Sequence, residues 1–514
     1  MGTNTLGRQR IVLFLSMVIH WIASFFSTDN RLHKARFATT FELTELLSTL
    51  PVSDGLLLGS KKTRHVLAVR PTTTRRELGN LLVVAPTRGG KGLLATSQLL
   101  SWKYSVVVND IKGELFTQTA GYRSTLGKVY VIDPTGRGHR FDPLSGKQTE
   151  DEFYSASSHL LFEAEEKERI FTQRATVMLT QIFLAAREEE IAPLPYARFF
   201  IRLGLADAAA RLNQVDPSLA TQFLDVNFTR ANLSDRFLLS AWGTLTARMR
   251  PLLTETIVRS LSYSDFTPQQ LLCADKPVSV YIRWKEQDLL ALAPLVRLLW
   301  GTLINELTTT YDDKQGDGCQ PVLLLVDEAG RTAIPMLADQ ATTVVGRGIS
   351  LWIAIQSLSQ LETVYGKARA QILRDNMDSQ IYYRPADLTT AKYLEDRLGL
   401  QSAYAHSATS RDGEETSEGI AERPIPLLAA QDIAQLTDTD IIGFHRHLPP
   451  FRLDRCDWRT HPLLSQRRNI PVPQLQILPK LSDIPIRNTG ALTHELIDPD
   501  MIYADKEQAE EHPN

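Results

Sequence analysis

A chain of 514 residues is long enough for two to four domains and a large core. Its 22% charged and 43% hydrophobic residues describe a soluble globular protein, which excludes disordered and fibrous classes. The formal net charge of -3 gives no overall nucleic-acid footprint, so any basic surface must be local, as in a channel lining. The cysteines Cys273, Cys319 and Cys456 lie far apart in the chain and form neither a metal-ligand nor a redox spacing, which fits a reducing cytosol.

The N-terminus carries Arg8 and Arg10, then an apolar run from Ile11 to Phe26. The run falls short of the ~20 residues a bilayer needs. Three readings compete: a short membrane anchor, a signal peptide and a helix lying at the membrane interface. No small-x-small cleavage site follows, which disfavours the signal peptide. Basic residues flank both sides, so charge does not choose an orientation.

Residues 37 to 79 form a lead-in, with a helical FELTELLSTL and short strands around Gly55 to Leu58 and His65 to Val69. Leu81 to Gly92, LLVVAPTRGGKG, follows. An apolar β-prone run stops at Ala85-Pro86, a turn of small residues leads to Gly90-Lys91, and a helix-competent LLATSQLLSW continues. Strand, glycine loop, lysine and helix is the layout of a phosphate-binding loop. Backbone N–H groups at Thr87, Arg88, Gly89, Gly90, Lys91 and Gly92 would face phosphate oxygens, and Lys91 adds a point charge. Ala85 replaces the usual first glycine and Gly92 the usual Ser/Thr. Taken alone, the stretch also reads as an ordinary glycine turn.

Ser105 to Asn109 is a second buried strand, ending in Asp110, Lys112 and Glu114, and Val129 to Ile132 a third. Charges at the C-terminal ends of parallel strands sit where α/β sheets hold ligands. From about Asp151 to Phe266 the period changes to that of helices, which predicts an all-α region inserted into the α/β domain. Within it, Glu188 to Glu190 read as a solvated face. Val278 to Ile282 resumes the strands and a long helix follows. Val322 to Val326 then runs into Asp327-Glu328. A hydrophobic strand ending in Asp-Glu is the second signature of P-loop ATPases: the Asp holds the Mg²⁺ shell and the Glu polarises the attacking water. The same pattern alone also fits an acidic helix start; paired with the glycine-lysine loop it points to ATP. Ser350 to Ile355 ends at Gln356, a candidate γ-phosphate sensor or simply the start of a capped helix. Ser379 to Tyr383 reads as the last strong strand. Residues 401 to 420 are polar and glycine-containing and predict a mobile loop. After Trp458 the chain turns proline-rich and polar, which predicts poor order.

Several long motifs, in this order, carry a resemblance: APTRGGKG, SVVVNDIKGELFTQTAGYR, VIDP with RFDPL, VLLLVDEAG, GRGISLWIAIQSLSQLETVYGK and RPIPLLAAQDIAQL. Together they resemble the conjugative coupling-protein ATPases of type IV secretion, the TraG/TraD family. The resemblance implies a RecA-like α/β motor with an inserted all-α domain. It also implies a membrane-anchored homo-hexamer at the cytoplasmic face of the bacterial inner membrane, with ATP and Mg²⁺ as cofactors. Single-stranded DNA, its relaxase and the secretion channel would be the partners. Residue by residue, Lys91 resembles the phosphate lysine, Asp327 the Mg²⁺ residue, Glu328 the general base and Gln356 the sensor. Arg347, in the GRG before the sensor strand, stands where the family places an arginine finger; it also reads as a solvent-exposed turn residue. The expected division is residues 1–34 (N-terminal segment, with 11–26 apolar), 35–150 and 271–460 (nucleotide-binding domain), 151–270 (all-α) and 461–514 (polar tail). The family usually has two membrane helices, whereas this chain shows one short run. A rival reading is a nucleotide-binding docking platform without a motor stroke, motivated by the imperfect loop ends. A DNA pump of chromosome segregation shares the fold but expects a C-terminal DNA-orienting module that the tail does not resemble.

Overall fold

The computed structural model describes residues 32–61, 65–72, 77–161, 169–284, 286–331, 334, 337–411 and 414–480. The apolar run 11–26 and the tail from 481 onward lie outside them. Among the described residues, no helix is long and apolar enough to cross a membrane.

Thirteen strands make one mixed sheet. They are β1 (Leu47–Ser48), β2 (Leu56–Lys61), β3 (His65–Val69), β4 (Leu81–Val84), β5 (Ser105–Asp110), β6 (Val129–Asp133), β7 (Arg137–Gly138), β8 (Ser279–Arg283), β9 (Val322–Val326), β10 (Ile349–Ile355) and β11 (Ser379–Tyr383), then β14 (Asp440–His445) and β15 (Phe451–Asp454). Between them β12 (Leu400–Arg411) and β13 (Glu414–Pro426) form a separate hairpin. The sheet order is β1-β3-β2-β15-β14-β11-β4-β10-β9-β5-β8-β6-β7. From β11 to β6 every neighbouring pair is parallel. β14 runs antiparallel to β11 and β15 antiparallel to β14, so β15 points the same way as β4.

The central strands are near-continuous apolar runs because both faces are covered. Alternate side chains divide between two cores, as the period of a strand requires. Leu81, Val83, Leu323, Leu325, Trp352 and Ala354 meet α1 (Lys91–Ser101) and α2 (Glu114–Leu126). Leu82, Val84, Leu324, Val326, Ile353 and Ile355 join the opposite core. Between β7 and β8 the described chain holds helices and no strand. That helical stretch, including α3 (Glu150–Leu161), α4 (Arg169–Glu188) and α5 (Arg236–Met249), shares its core with the sheet face and with the long α6 (Leu289–Asp313).

The start of β4 is held by a fully buried amide. Asn80 Nδ2 donates to the carbonyls of Ala341 (2.9 Å) and Asn376 (3.1 Å), and its Oδ1 accepts from the Leu351 N–H (2.9 Å). This ties β4 to β10 at the edge opposite the glycine loop.

Four expectations are corrected. FELTELLSTL makes a short 3₁₀ turn and β1 rather than a helix. Residues 401 to 420 are not a loop but most of the β12–β13 hairpin, paired from Leu400↔Pro426 to Arg411↔Glu414. The chain just after the N-terminal run adds to that hairpin: Lys34 bridges Gln401, and Ala35 N–H donates to Leu400 O (3.0 Å). A polar hairpin of this length has little apolar alternation to betray it, and its backbone ladder supplies the order instead. Ser379–Tyr383 is followed by two further sheet strands, β14 and β15. Finally, residues 462–468 are helical, and Arg467 donates to Leu100 O (2.6 Å), docking this segment on α1.

The cysteines also differ from their sequence spacing. Cys273 and Cys319 Sγ atoms stand 3.9 Å apart as free thiols, partly exposed. Burial and the neighbouring thiol push Cys319 up to about 11. Cys456 is buried under α1.

Candidate functional site

Parallel strands deliver their C-terminal residues to one edge of the sheet. β4 delivers the glycine loop, β5 Asp110, β9 Asp327-Glu328 and β10 Gln356. The loop bends through Arg88 (φ 65°) and Gly90 (φ 109°), both left-handed, and the Gly89 N–H closes it by donating to Pro86 O (2.9 Å). Lys91 opens that helix with Gly90 as its cap residue. No acidic residue lies in its first turn, so the helix dipole is left free for an anion.

Glu328 is the hub. It is 3% exposed and adopts a left-handed backbone (φ 58°), which turns its side chain back over the sheet edge. Its Oε1 is bonded to Lys91 Nζ, with Lys112 Nζ at 4.0 Å. Its Oε2 accepts from Gln356 Nε2 at 2.9 Å and lies 3.7 Å from Arg331 Nε. A non-glycine residue held at positive φ costs on the order of 1 kcal/mol or more, and such strain clusters where geometry matters to chemistry. Asp327 lies beside it, with Oδ1 3.7 Å from Lys91 Nζ and no hydrogen-bond partner. Burial pushes the Asp327 carboxyl up, while Lys91 opposes that shift. Asn109, at the end of β5, donates to the Asp327 carbonyl (3.2 Å), and its own Oδ1 is buried without a partner.

The structure thus brings together Lys91, Asp327, Glu328 and Gln356, with Thr87, Arg88, Gly89, Gly90 and Gly92 in the adjoining loop. A carboxylate oxygen that is buried, unbonded and near a lysine fits a divalent cation carried in with phosphates. Among the described residues, no group of three or more His, Cys, Asp or Glu could hold a metal alone. A cation here would therefore take most of its oxygens from the nucleotide and water, the usual habit of Mg²⁺. Gly92 leaves open space: a Cβ built there meets nothing within 4 Å. The Thr96 hydroxyl, one turn further along α1, is buried and donates to Gln118 (2.8 Å).

Arg347 is not part of this cluster. It ends the turn before β10, at the opposite edge of the sheet. Seven strand residues at about 3.3 Å each put it roughly 20 Å from Gln356. There it forks onto Asp312, Nε to Oδ1 at 2.8 Å and Nη2 to Oδ2 at 2.7 Å. Gln356 is followed by Ser357, which caps the next helix by accepting from the Gln360 N–H (3.2 Å), so sensor candidate and capped helix start coexist.

Asp110, Lys112 and Glu114 gain separate places. Asp110 is buried and accepts from the Leu115 (3.3 Å) and Phe116 (2.7 Å) N–H groups, holding the start of α2. Lys112 leans on Glu328, and Glu114 sits in the exposed first turn of α2. Sequence reasoning missed Asn109, Arg331, Tyr383 and Arg455 at this edge. The first two neighbour motif residues, but the last two depend on how β11, β14 and β15 are ordered, which no local pattern states.

Comparison with known proteins places this arrangement. Residues 54–476 match the family model described as Type IV secretory system Conjugative DNA transfer. The conjugal transfer protein TraG of Escherichia coli is 28% identical over 375 residues, 66% of this chain and 57% of that protein. Protein VirD4 of Rhizobium radiobacter is 26% identical over 428 residues, 78% of this chain and 60% of that protein. The matched part of this chain thus spans about three-fifths of each curated relative. The bacterial conjugative coupling protein TrwBdeltaN70, solved with sulphate, shares the fold with a TM-score of 0.56 at 16% identity, covering 78% of this chain and 87% of that one. TrwB in complex with ADP and Mg²⁺ superimposes with a TM-score of 0.55 over the same shares. With a family model covering most of its length, this chain belongs to the type IV secretory conjugative DNA-transfer family of coupling proteins.

Proposed function

We propose that the chain is an ATP-hydrolysing coupling protein that passes single-stranded DNA, with its relaxase, to a type IV secretion channel. The single observation that carries this is the hydrogen-bonded chain Lys91–Glu328–Gln356 at the loop edge, with Asp327 Oδ1 left unbonded beside it. A binder of nucleotide needs Lys91. It has little use for a buried glutamate placed to polarise water and steadied by an amide.

In this reading the nucleotide phosphates draw Lys91 away from Glu328. Glu328, still held by Gln356, is then free to orient water toward the γ-phosphate. Asp327 is the residue that would hold the shell of a Mg²⁺ bound with the nucleotide, which would supply charge neutralisation at the phosphates. Arg347 would act on a neighbouring subunit's nucleotide in a homo-hexamer, which requires its release from Asp312. Residues 151–270 would select cargo, and residues 11–26 would hold the ring at the cytoplasmic face of the inner membrane. DNA would be gripped by its backbone, with strong salt dependence and little sequence preference. TrwB structures with ADP and Mg²⁺ and with an ATP analogue support the nucleotide assignment by analogy of fold.

The test is ATP turnover of the full-length chain with and without single-stranded DNA, beside transfer in cells. DNA-stimulated turnover that Glu328→Gln removes, with nucleotide binding retained, is the expected outcome. Transfer that survives Glu328→Gln selects the docking platform and ends the motor reading.

A further inference from the structure

The glycine loop has two flanks. β10 and β9 lie on one side of β4 and carry Gln356 and Glu328. β11, β14 and β15 lie on the other. Because β15 points the same way as β4, its last residue, Asp454, brings Arg455 to the loop edge. The Arg455 N–H donates to Thr439 O (2.7 Å), and Cys456 is buried in the core beneath α1, so the backbone here is fixed.

The Arg455 side chain lies across Gly90. A Cβ built on Gly90 would collide with Arg455 Cδ and would stand 3.4 Å from both Arg455 Nη1 and Tyr383 Cε1. Glycine at this loop position thus serves twice, for its left-handed backbone and for the arginine stem above it. Two polar atoms meet here without partners among the described residues: Arg455 Nε and the hydroxyl of Tyr383, a side chain 2% exposed. The carboxylate two residues on, Asp457, is lowered in pKa first by Arg459 and only weakly by the charge of Arg455. Asp457 is held by Arg459 (2.8 and 3.0 Å), and Arg384, at the end of β11, pairs with Asp438 (2.9 Å). A buried polar group without a partner costs about 1–3 kcal/mol, so a side chain left in this state against a phosphate loop points to a ligand that completes it.

We propose that Arg455 is a nucleotide-binding residue acting within its own subunit, its guanidinium reaching over Gly90 to the α/β-phosphate side of a nucleotide held by the Lys91 loop. This rests on reading that loop as the nucleotide site. The side is set by the sheet: Glu328 and Gln356 occupy the flank assigned to the γ-phosphate, and Arg455 stands on the other. A guanidinium suits this task because its planar fork matches phosphate oxygens and it stays charged at any working pH. Tyr383, whose ring edge also approaches Gly90, flanks the arginine on the β11 side.

The experiment is calorimetric titration of the full-length chain with ADP and with a non-hydrolysable ATP analogue, each with Mg²⁺. Wild type is compared with Arg455→Met, which keeps the stem over Gly90, with Arg455→Lys, and with Lys91→Ala. Arg455→Met is expected to weaken both ligands about tenfold and equally, and Arg455→Lys to recover part of the loss. Arg455→Met binding ADP within twofold of wild type, while Lys91→Ala has lost it, overturns the proposal. A loss confined to the ATP analogue overturns the α/β assignment. Unchanged binding by Lys91→Ala removes the nucleotide site itself, and the proposal with it.

Discussion

The two flanks of the glycine-loop strand β4 are built differently. On the β10–β9 flank Lys91, Arg331 and Lys112 all approach Glu328 and Gln356 fills its second oxygen, while Asp327 Oδ1 stands 3.7 Å from Lys91 Nζ without a hydrogen bond. On the β11–β15 flank a guanidinium nitrogen and a phenol are buried with no partner among the described residues. Glu328 is thus saturated by its own neighbours, whereas Asp327 Oδ1 on the same flank, and Arg455 Nε and the Tyr383 hydroxyl on the other, are left open among the described residues. A phosphate arriving at the loop must displace Lys91 from Glu328, while on the other flank it displaces nothing. In the proposed reading the first flank sets the barrier to activation, because Lys91 must leave Glu328, and the second contributes affinity from the first contact.

The strongest way to break this comparison is Glu328→Gln. The amide keeps the length of the side chain and its bonding to Gln356, but it cannot polarise water. Turnover is expected to fall about 10²–10⁴-fold, the usual contribution of a positioned base. ADP affinity should hold or rise, because Lys91 no longer leaves an ion pair when it meets phosphate. Steady-state ATPase assays beside ADP titration check both halves, and an equal fall in both would show that Glu328 serves binding alone.

Lys91→Ala sharpens the same point from the cation side. Affinity is expected to drop about 10- to 100-fold, from charge-assisted bonds of about 1.5–3 kcal/mol. Removing one partner of a buried ion pair usually costs about 3–5 kcal/mol of stability. Here Arg331 and Lys112 remain at 3.7 and 4.0 Å from Glu328. The stability loss should therefore be nearer 1–2 kcal/mol, since two cations still offset that charge. Chemical denaturation without nucleotide measures it, and a loss above this range would show that the two outer cations do not compensate.

Much of the first flank was legible in sequence, because each of its residues sits within a few positions of a strand end that announces itself. LLVV before the glycine loop, VLLLV before Asp327 and LWIAI before Gln356 are apolar runs whose ends can only be an edge. The second flank was not legible. Arg455 follows FRLD, four residues with half their side chains exposed, and nothing local says that two antiparallel steps return this strand to the direction of β4. The hairpin is hidden in the sequence for a related reason: its residues carry no apolar alternation, and its pairing runs through the backbone. The approach of Cys273 to Cys319 joins the end of a helix to a loop and leaves no spacing to find.

Asp110 offers a pH test at the boundary of the site. Burial is the main cause raising its carboxyl to about 6, against the N–H groups of Leu115 and Phe116 that lower it. A carboxyl raised on folding keeps its proton where the unfolded chain has lost it. Its favourable share is therefore complete below the unfolded value near 4, falls as pH rises to about 6, and stays lost above. The span is on the order of 3 kcal/mol. Asp110→Asn should remove that slope from the stability curve between pH 4 and 6 while keeping one acceptor for the start of α2. Denaturation midpoints across this range check it, and an unchanged slope assigns the dependence to other carboxyls.

The smallest expected effect concerns Gly92. The residue occupies the second position of α1, its backbone does not need glycine, and the space around its missing Cβ is empty to 4 Å. A serine hydroxyl fits without moving a neighbour, and the helix gains about 0.5 kcal/mol from the change in propensity alone. In P-loop proteins this hydroxyl joins the Mg²⁺ shell. Gly92→Ser is therefore expected to raise ADP affinity a few-fold with Mg²⁺ and to leave it unchanged in a chelator. That gain would fall on the catalytic flank, beside Asp327, and should be additive with the loss from Arg455→Met across the strand, since independent sites add. A Mg²⁺-dependent gain that vanishes in the double variant would mean that the two flanks act on the nucleotide as one unit.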